Sequence, residues 1–98
     1  MTEHNIYLDD NTNICLEGNI DFNNVVVIRD NGIELMNSVS EVCIDLLNVN
    51  KVDSSSLALL AAWARAAKRQ HKKFKLLNIP NSLASLARVS GLDAIFSI

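Results

Sequence analysis

Asp53, Ser54, Ser55 and Ser56 set one carboxylate and three hydroxyls in a row, directly before the apolar run Leu57-Ala58-Leu59-Leu60. Such side chains cap the free N-H groups at a helix start and also make polar contacts with another molecule. Groups that would turn this stretch into a catalyst are missing from the sequence. His4 and His71 have no Cys, Asp or Glu at metal-ligand spacing, so both read as solvated and no metal site is expected. Asp45 and Asp53, eight residues apart in the strand-helix loops, have no partner base and do not form an acid/base pair. No Gly-rich phosphate loop of the GxxxxGK or GxGxxG type occurs. Cys15 and Cys43 are too few for the disulfide scaffold of a small secreted domain and read as two buried reduced thiols. No catalytic residue and no cofactor is expected.

The hydrophobic period gives the elements that must hold the serine run in place. Ile14, Leu16, Gly18 and Ile20 alternate with polar positions as in a half-buried strand. Ile6 and Leu8 form a weaker strand before it, and Asp9, Asp10 and Asn11 between them are turn formers, which predicts an amino-terminal hairpin. Phe22, Val25, Val26, Ile33 and Met36 fit one face of a helix over 22–36, against the β preference of Val25 to Ile28. Residues 39–47 read as a strand covered on both faces, and residues 48–56 as a polar loop rich in cap formers. A helix over about 55–71 follows, with Asp53, Ser54 and Ser55 able to cap it and Lys68 to Lys73 at its carboxyl pole. Phe74, Leu76, Leu77 and Ile79 make another strand. Pro80 suits the first turn of a last helix, which Gly91 ends in a left-handed stop with Leu92 behind it; residues 94–98 read as a short strand or tail. After the hairpin, strands alternate with helices, so the chain is a single α/β domain over residues 1–98, a mixed sheet covered by crossover helices.

At about 100° per residue, Leu57, Leu60, Ala61 and Ala64 share the core face of the 55–71 helix. Ser55, Leu59, Ala62, Trp63 and Ala66 fall roughly opposite. Leu59 and Trp63 therefore either pack under another part of the domain or wait for a partner.

Of the 98 residues, 49% are hydrophobic and 20% charged, which fits one folded domain rather than a disordered tail. The formal charge of -2 divides unevenly. Residues 1–50 hold nine acids and one base, and residues 51–98 two acids and eight bases. Few aromatic residues accompany the bases, so nucleic acid is not an expected partner and the charge reads as a bipolar surface. No apolar run is long enough to span a membrane, and the first ten residues do not form a signal peptide.

Val42-Cys43-Ile44-Asp45-Leu46, Val52-Asp53-Ser54-Ser55-Ser56-Leu57-Ala58-Leu59-Leu60 and Val89-Ser90-Gly91-Leu92-Asp93-Ala94-Ile95-Phe96 resemble, in order and spacing, three signature segments of STAS domains. These are the sulfate transporter and anti-sigma factor antagonist family. The resemblance runs from about residue 13 to the end and implies a small mixed sheet flanked by helices. In the anti-sigma antagonist branch the second serine of an Asp-Ser-Ser-Gly-Leu motif is phosphorylated by a partner kinase. That position is Ser55 here, and the family's following glycine is Ser56. Leu57-Ala58-Leu59-Leu60 is more similar to the lipid-transport branch, where the hydroxyl position after the Asp is Ser54.

That similarity implies a non-enzymatic cytoplasmic subunit of an Mla-type (maintenance of lipid asymmetry) phospholipid ABC transporter. Such a subunit binds and orders the ATPase and meets the inner membrane only through the complex. Asp53, Ser54, Ser55 and Ser56 are then expected to make polar contacts with the ATPase, and Leu59 and Trp63 to act as apolar anchors. The alternative is an anti-sigma factor antagonist switched by phosphorylation of Ser55. A third reading joins the serine loop and the basic helix end into a site for nucleotide or lipid.

Overall fold

The computed structural model describes residues 4–91. The elements follow the order β1 (His4–Leu8), β2 (Ile14–Asn19), α1 (Val25–Met36), β3 (Val42–Lys51), α2 (Ser54–Arg69), β4 (Phe74–Leu77) and α3 (Asn81–Val89). The strands lie side by side as β1-β2-β3-β4. β1 and β2 form the expected antiparallel hairpin, with Ile6 opposite Leu16. Its turn is held by the Asp9 carboxylate, which accepts from the Asn11 and Asn13 amides at 2.9 Å each. β3 runs parallel to both neighbours, aligning Ile14 with Ile44 and Ile44 with Leu76.

Two crossovers, β2-α1-β3 and β3-α2-β4, step the same way across the sheet. Being of one hand, they lay α1 and α2 on the same face, where the two helices touch. Ile14, Leu16, Val42, Ile44 and Leu46 point into that layer and are at most 1% exposed. Cys15, Cys43 and Asp45 alternate with them and are only half-buried, so the two thiols are not buried as expected: they stand on the face turned away from the helices. Among the described residues, then, β3 is covered on one face, not both. Its alternation was hidden because Cys43 and the apolar neighbours of Asp45 read as a continuous run.

β3 also begins later and ends later than the 39–47 pattern predicts. Val39 is buried in the turn before it, and residues Asn48 to Lys51, polar except for Val49, continue the strand because they pair with Glu17 to Asn19 of β2. Strand pairing here overrides composition. The register slips between Cys15 and Glu17, which face Asp45 and Asn48, so β3 carries an extra residue there. Leu47 is turned out at the slip and is 64% exposed. Gly18, which follows on β2, has φ of 96°, a conformation that strains a residue with a Cβ. Asp45 stands in mid-strand rather than in a strand-helix loop; it accepts from the Leu47 amide and from the Asn78 side-chain amide, both at 3.0 Å.

The helix predicted over 22–36 starts only at Val25. Asn24 organises the turn before it, its Oδ1 accepting from the Asp21 amide and its Nδ2 donating to the Asn19 carbonyl. Phe22 and Val26, expected on the core face, are 75% and 53% exposed; Met36 is buried as expected, and Ile28 and Gly32 join it on that face. Pro80 stands just before α3 as its cap rather than inside its first turn, and Gly91 adopts the left-handed conformation with φ of 72°. The contact expected from Leu92 and the segment 94–98 lie outside the described residues.

Candidate functional site

The serine run forms the junction between β3 and α2. Asp53 is extended, and its Oδ1 accepts the Ser55 amide at 2.9 Å. The same oxygen accepts the Ser55 hydroxyl, and the Asp53 carbonyl accepts the Ser56 amide at 3.0 Å. This is the cap that the sequence predicts, and it ties Ser55 to Asp53 twice.

The three serines occupy different surroundings. Ser54 is exposed, Ser55 is half-buried, and Ser56 is 1% exposed. Among the described residues the Ser56 hydroxyl has no hydrogen-bond partner. Ser56 therefore faces the core and cannot make the polar partner contact expected of it. His71 follows the far end of α2, whereas His4 opens β1 opposite Gly18, at the same sheet edge as the junction but two strands away from β3. Among the described residues no group of three or more His, Cys, Asp or Glu is placed to hold a metal ion. The junction offers a fixed hydroxyl, an exposed hydroxyl and the N-H groups of a helix start, a set suited to recognition.

Leu59 and Trp63 do not stand free for a partner. They are 2% and 0% exposed, because α2 is covered by the sheet on one side and by α1 on another. The Trp63 indole donates to the Arg29 carbonyl at 3.1 Å and lies against Gly32, where an added Cβ would come within 2.5 Å of the ring. A helix wheel separates faces but does not say how many of them have neighbours. The anchor role is thereby corrected, and the expected core stripe is broader: Leu57 and Leu60 are buried, while Ala61 and Ala64 are half-buried.

Exposed apolar residues do occur at the same edge as the junction, at the start of α1 and in the turn before it. β2 and β3 are parallel and each feeds its helix from its carboxyl end, so α1 and α2 start at one edge of the domain. Phe22, Val26 and Val27, each more than half exposed, stand at that edge with Ser54. Sequence reasoning missed them, although four consecutive apolar residues, Val25 to Ile28, cannot all face the core of one helix.

The third reading, one site from the serine loop and the basic helix end, does not survive the geometry. α2 is 16 residues long, which puts about 24 Å between its ends.

On the sheet face away from α1 and α2, Tyr7, Cys15, Asp45 and Leu77 form a row across all four strands. Tyr7 donates to the Glu17 carboxylate at 2.7 Å, and that bond pushes its pKa up to about 12. Burial, with Asp9 and Asp45 nearby, raises the Cys15 thiol. The amides of Asn13 and Asn11 hold the Asp9 carboxyl below its ordinary value. Each shift is explained by the bonds, burial and neighbouring charges of the hairpin and β3. No described helix is long and apolar enough to cross a membrane.

A family model described as "Mlab, STAS domain" matches residues 7–97. Among solved structures, the anti-sigma factor antagonist SpoIIAA in its unphosphorylated form is similar with a TM-score of 0.71 and 18% sequence identity. That match covers 94% of this chain and 84% of the other, and at this identity it speaks for the fold.

Proposed function

The chain belongs to the STAS domain family, and on that premise we propose that it is a non-enzymatic subunit that binds the ATPase of a bacterial phospholipid-transport ABC transporter. The carrying observation is the edge at which exposed Ser54 and the doubly bonded Asp53–Ser55 cap share an end with exposed Phe22 and Val26. Exposed apolar side chains bordered by polar groups are the composition of a protein contact. In this reading Ser54 bonds to the ATPase, Asp53 and Ser55 keep the helix start rigid, and Phe22 and Val26 replace Leu59 and Trp63 as anchors. The subunit acts by ordering the ATPase at the cytoplasmic face of the inner membrane. The description of the matching family model favours this branch over the regulatory one.

The test is co-purification of the tagged chain with the transporter ATPase. Ser54→Lys and Val26→Asp should each remove the ATPase from a protein that unfolds at an unchanged midpoint. Full retention by both variants would sink the reading.

The Ser55 to Asp53 bond gives the partner-switching alternative a physical basis. A phosphate on Ser55 would replace that bond with two like charges, while the helix N-H groups would favour the new anion. Intact-mass analysis of the chain from its native cell separates the two. A phosphorylated fraction mapped to Ser55 favours the switch, and an unmodified chain bound to an ATPase favours the transporter subunit.

A further inference from the structure

β2, β3 and β4 all start at the end of the domain away from Ser54, and α1 and α2 run back to that end, stopping at Met36 and Arg69. The β1-β2 turn lies there too. α1 packs over the hairpin and α2 over β4, and Lys72, whose Nζ donates to the Met36 carbonyl at 2.6 Å, joins the two helix ends.

Charge divides across this end as it does along the sequence. On the hairpin side stand Asp9 and Asp10 in the turn and Glu34 in the last turn of α1. On the other side stand Lys68 and Arg69 in the last turn of α2 and Lys73 just before β4. Glu41, just before β3, lies between the two groups. The outer strands β1 and β4 are three spacings, about 14 Å, apart. Among the described residues none of these seven groups makes an ion pair. Lys68 and Arg69 complement the carboxyl pole of α2, whereas Glu34 stands at the carboxyl pole of α1, where an acid is disfavoured and no base of that turn offsets it.

An occupant of this end has to answer both signs. A free phosphate, an anionic bilayer or a nucleic acid would meet the basic group and be repelled by the acids beside it. A second copy of the chain answers both. A rotation of 180° about the sheet normal brings two such ends face to face with their sides exchanged, so that the hairpin side of each meets the β4 side of the other.

We propose that the chain pairs with itself through this end about such a two-fold axis, setting Asp9, Asp10 and Glu34 of each copy against Lys68, Arg69 and Lys73 of the other. An end of a domain with extents of 31 × 30 × 21 Å offers each partner roughly 600 Å², less than the roughly 800 Å² per partner of a stable complex. The pair is therefore transient and held by charge. It leaves the Ser54 edge open and stands or falls independently of the ATPase contact.

Sedimentation velocity of the full chain tests this. At low salt the chain should show a monomer-dimer equilibrium that moves to monomer as salt rises. Asp10→Lys with Glu34→Lys, and separately Arg69→Glu with Lys73→Glu, should each weaken the dimer at least about tenfold. Mixed in equal amounts, the two variants should recover it, because a wholly basic end then meets a wholly acidic one; the recovery also shows that both are folded. Lys51→Glu, at the other end of β3, should leave the dimer unchanged. A chain that stays monomeric at low salt overturns the proposal, as does a mixture of the two variants that stays monomeric. Loss of the dimer in only one of the two variants, or growth into species larger than a dimer, overturns it as well.

Discussion

Gly32 leaves the space that Trp63 fills. The indole of α2 lies where a side chain at position 32 of α1 would begin, and its N-H bonds to the Arg29 carbonyl one turn earlier. The single buried polar atom of the largest core residue is thus satisfied by the neighbouring helix, and the two helices are fixed in register by one contact.

Gly32→Ala should destabilise the domain by about 1–3 kcal/mol, because the new methyl has only the ring to displace. Trp63→Ala should cost about 3–5 kcal/mol. Urea unfolding followed by far-UV circular dichroism measures both. A Gly32→Ala variant as stable as the parent would mean that the helices slide apart freely.

Ser56→Ala should stabilise the domain by about 1 kcal/mol, since it removes a buried hydroxyl without a described partner and keeps the helix backbone. Ser56→Gly should gain less, as glycine costs about 1 kcal/mol relative to alanine in a helix. A loss of stability in Ser56→Ala would show that the hydroxyl has a bonding partner after all.

Asp53→Ala should lower stability by about 1 kcal/mol through loss of the cap, whereas Asp53→Asn should nearly preserve it. Comparing the two separates folding from recognition. If ATPase binding follows the thermal midpoint across both variants, Asp53 acts only by holding the helix start. Binding lost in the stable Asn variant would instead place the carboxylate in the contact.

Tyr7 is the only tyrosine of the chain, so ultraviolet titration of the phenolate reads it alone. The midpoint should fall near the folded value of about 12, and Glu17→Gln should return it towards about 10. With the folded pKa above the unfolded one, the stability from this bond is fully present below about pH 10. It declines as pH rises through the folded value. A wild-type midpoint near 10 would show that the bond to Glu17 does not persist in solution.

Local signals were the readable ones. Asp53 as a cap and the left-handed Gly91 depend on a few adjacent residues, and the structure reproduces both. The hairpin and the alternation of strands and helices were equally plain, and the STAS fold followed from three short segments. What the chain does not announce is which surfaces meet. Trp63 and Phe22 look alike as apolar positions on helix-compatible patterns, yet one is enclosed by α1 and the other stands in solvent. Gly32 was the clue to the first, since a lone glycine inside a helix asks what large group lies opposite. Asn48 to Lys51 were read as a loop because their strand partners lie some thirty residues earlier on β2.

The slipped register at Leu47, which a second slip follows between Val49 and Lys51, flips the parity of β3. Before it, even-numbered positions Val42, Ile44 and Leu46 face the helices; after it, the inward place falls to Val49. A saturation scan along this strand should therefore show sensitivity alternating in step, missing a beat at Leu47 and resuming out of phase. Deleting one residue at Leu47 would rejoin the rhythm up to Val49 and pull the Asp53 junction back by a residue, so this slip and the one after Val49 together set how far α2 projects at the edge where Ser54 is displayed.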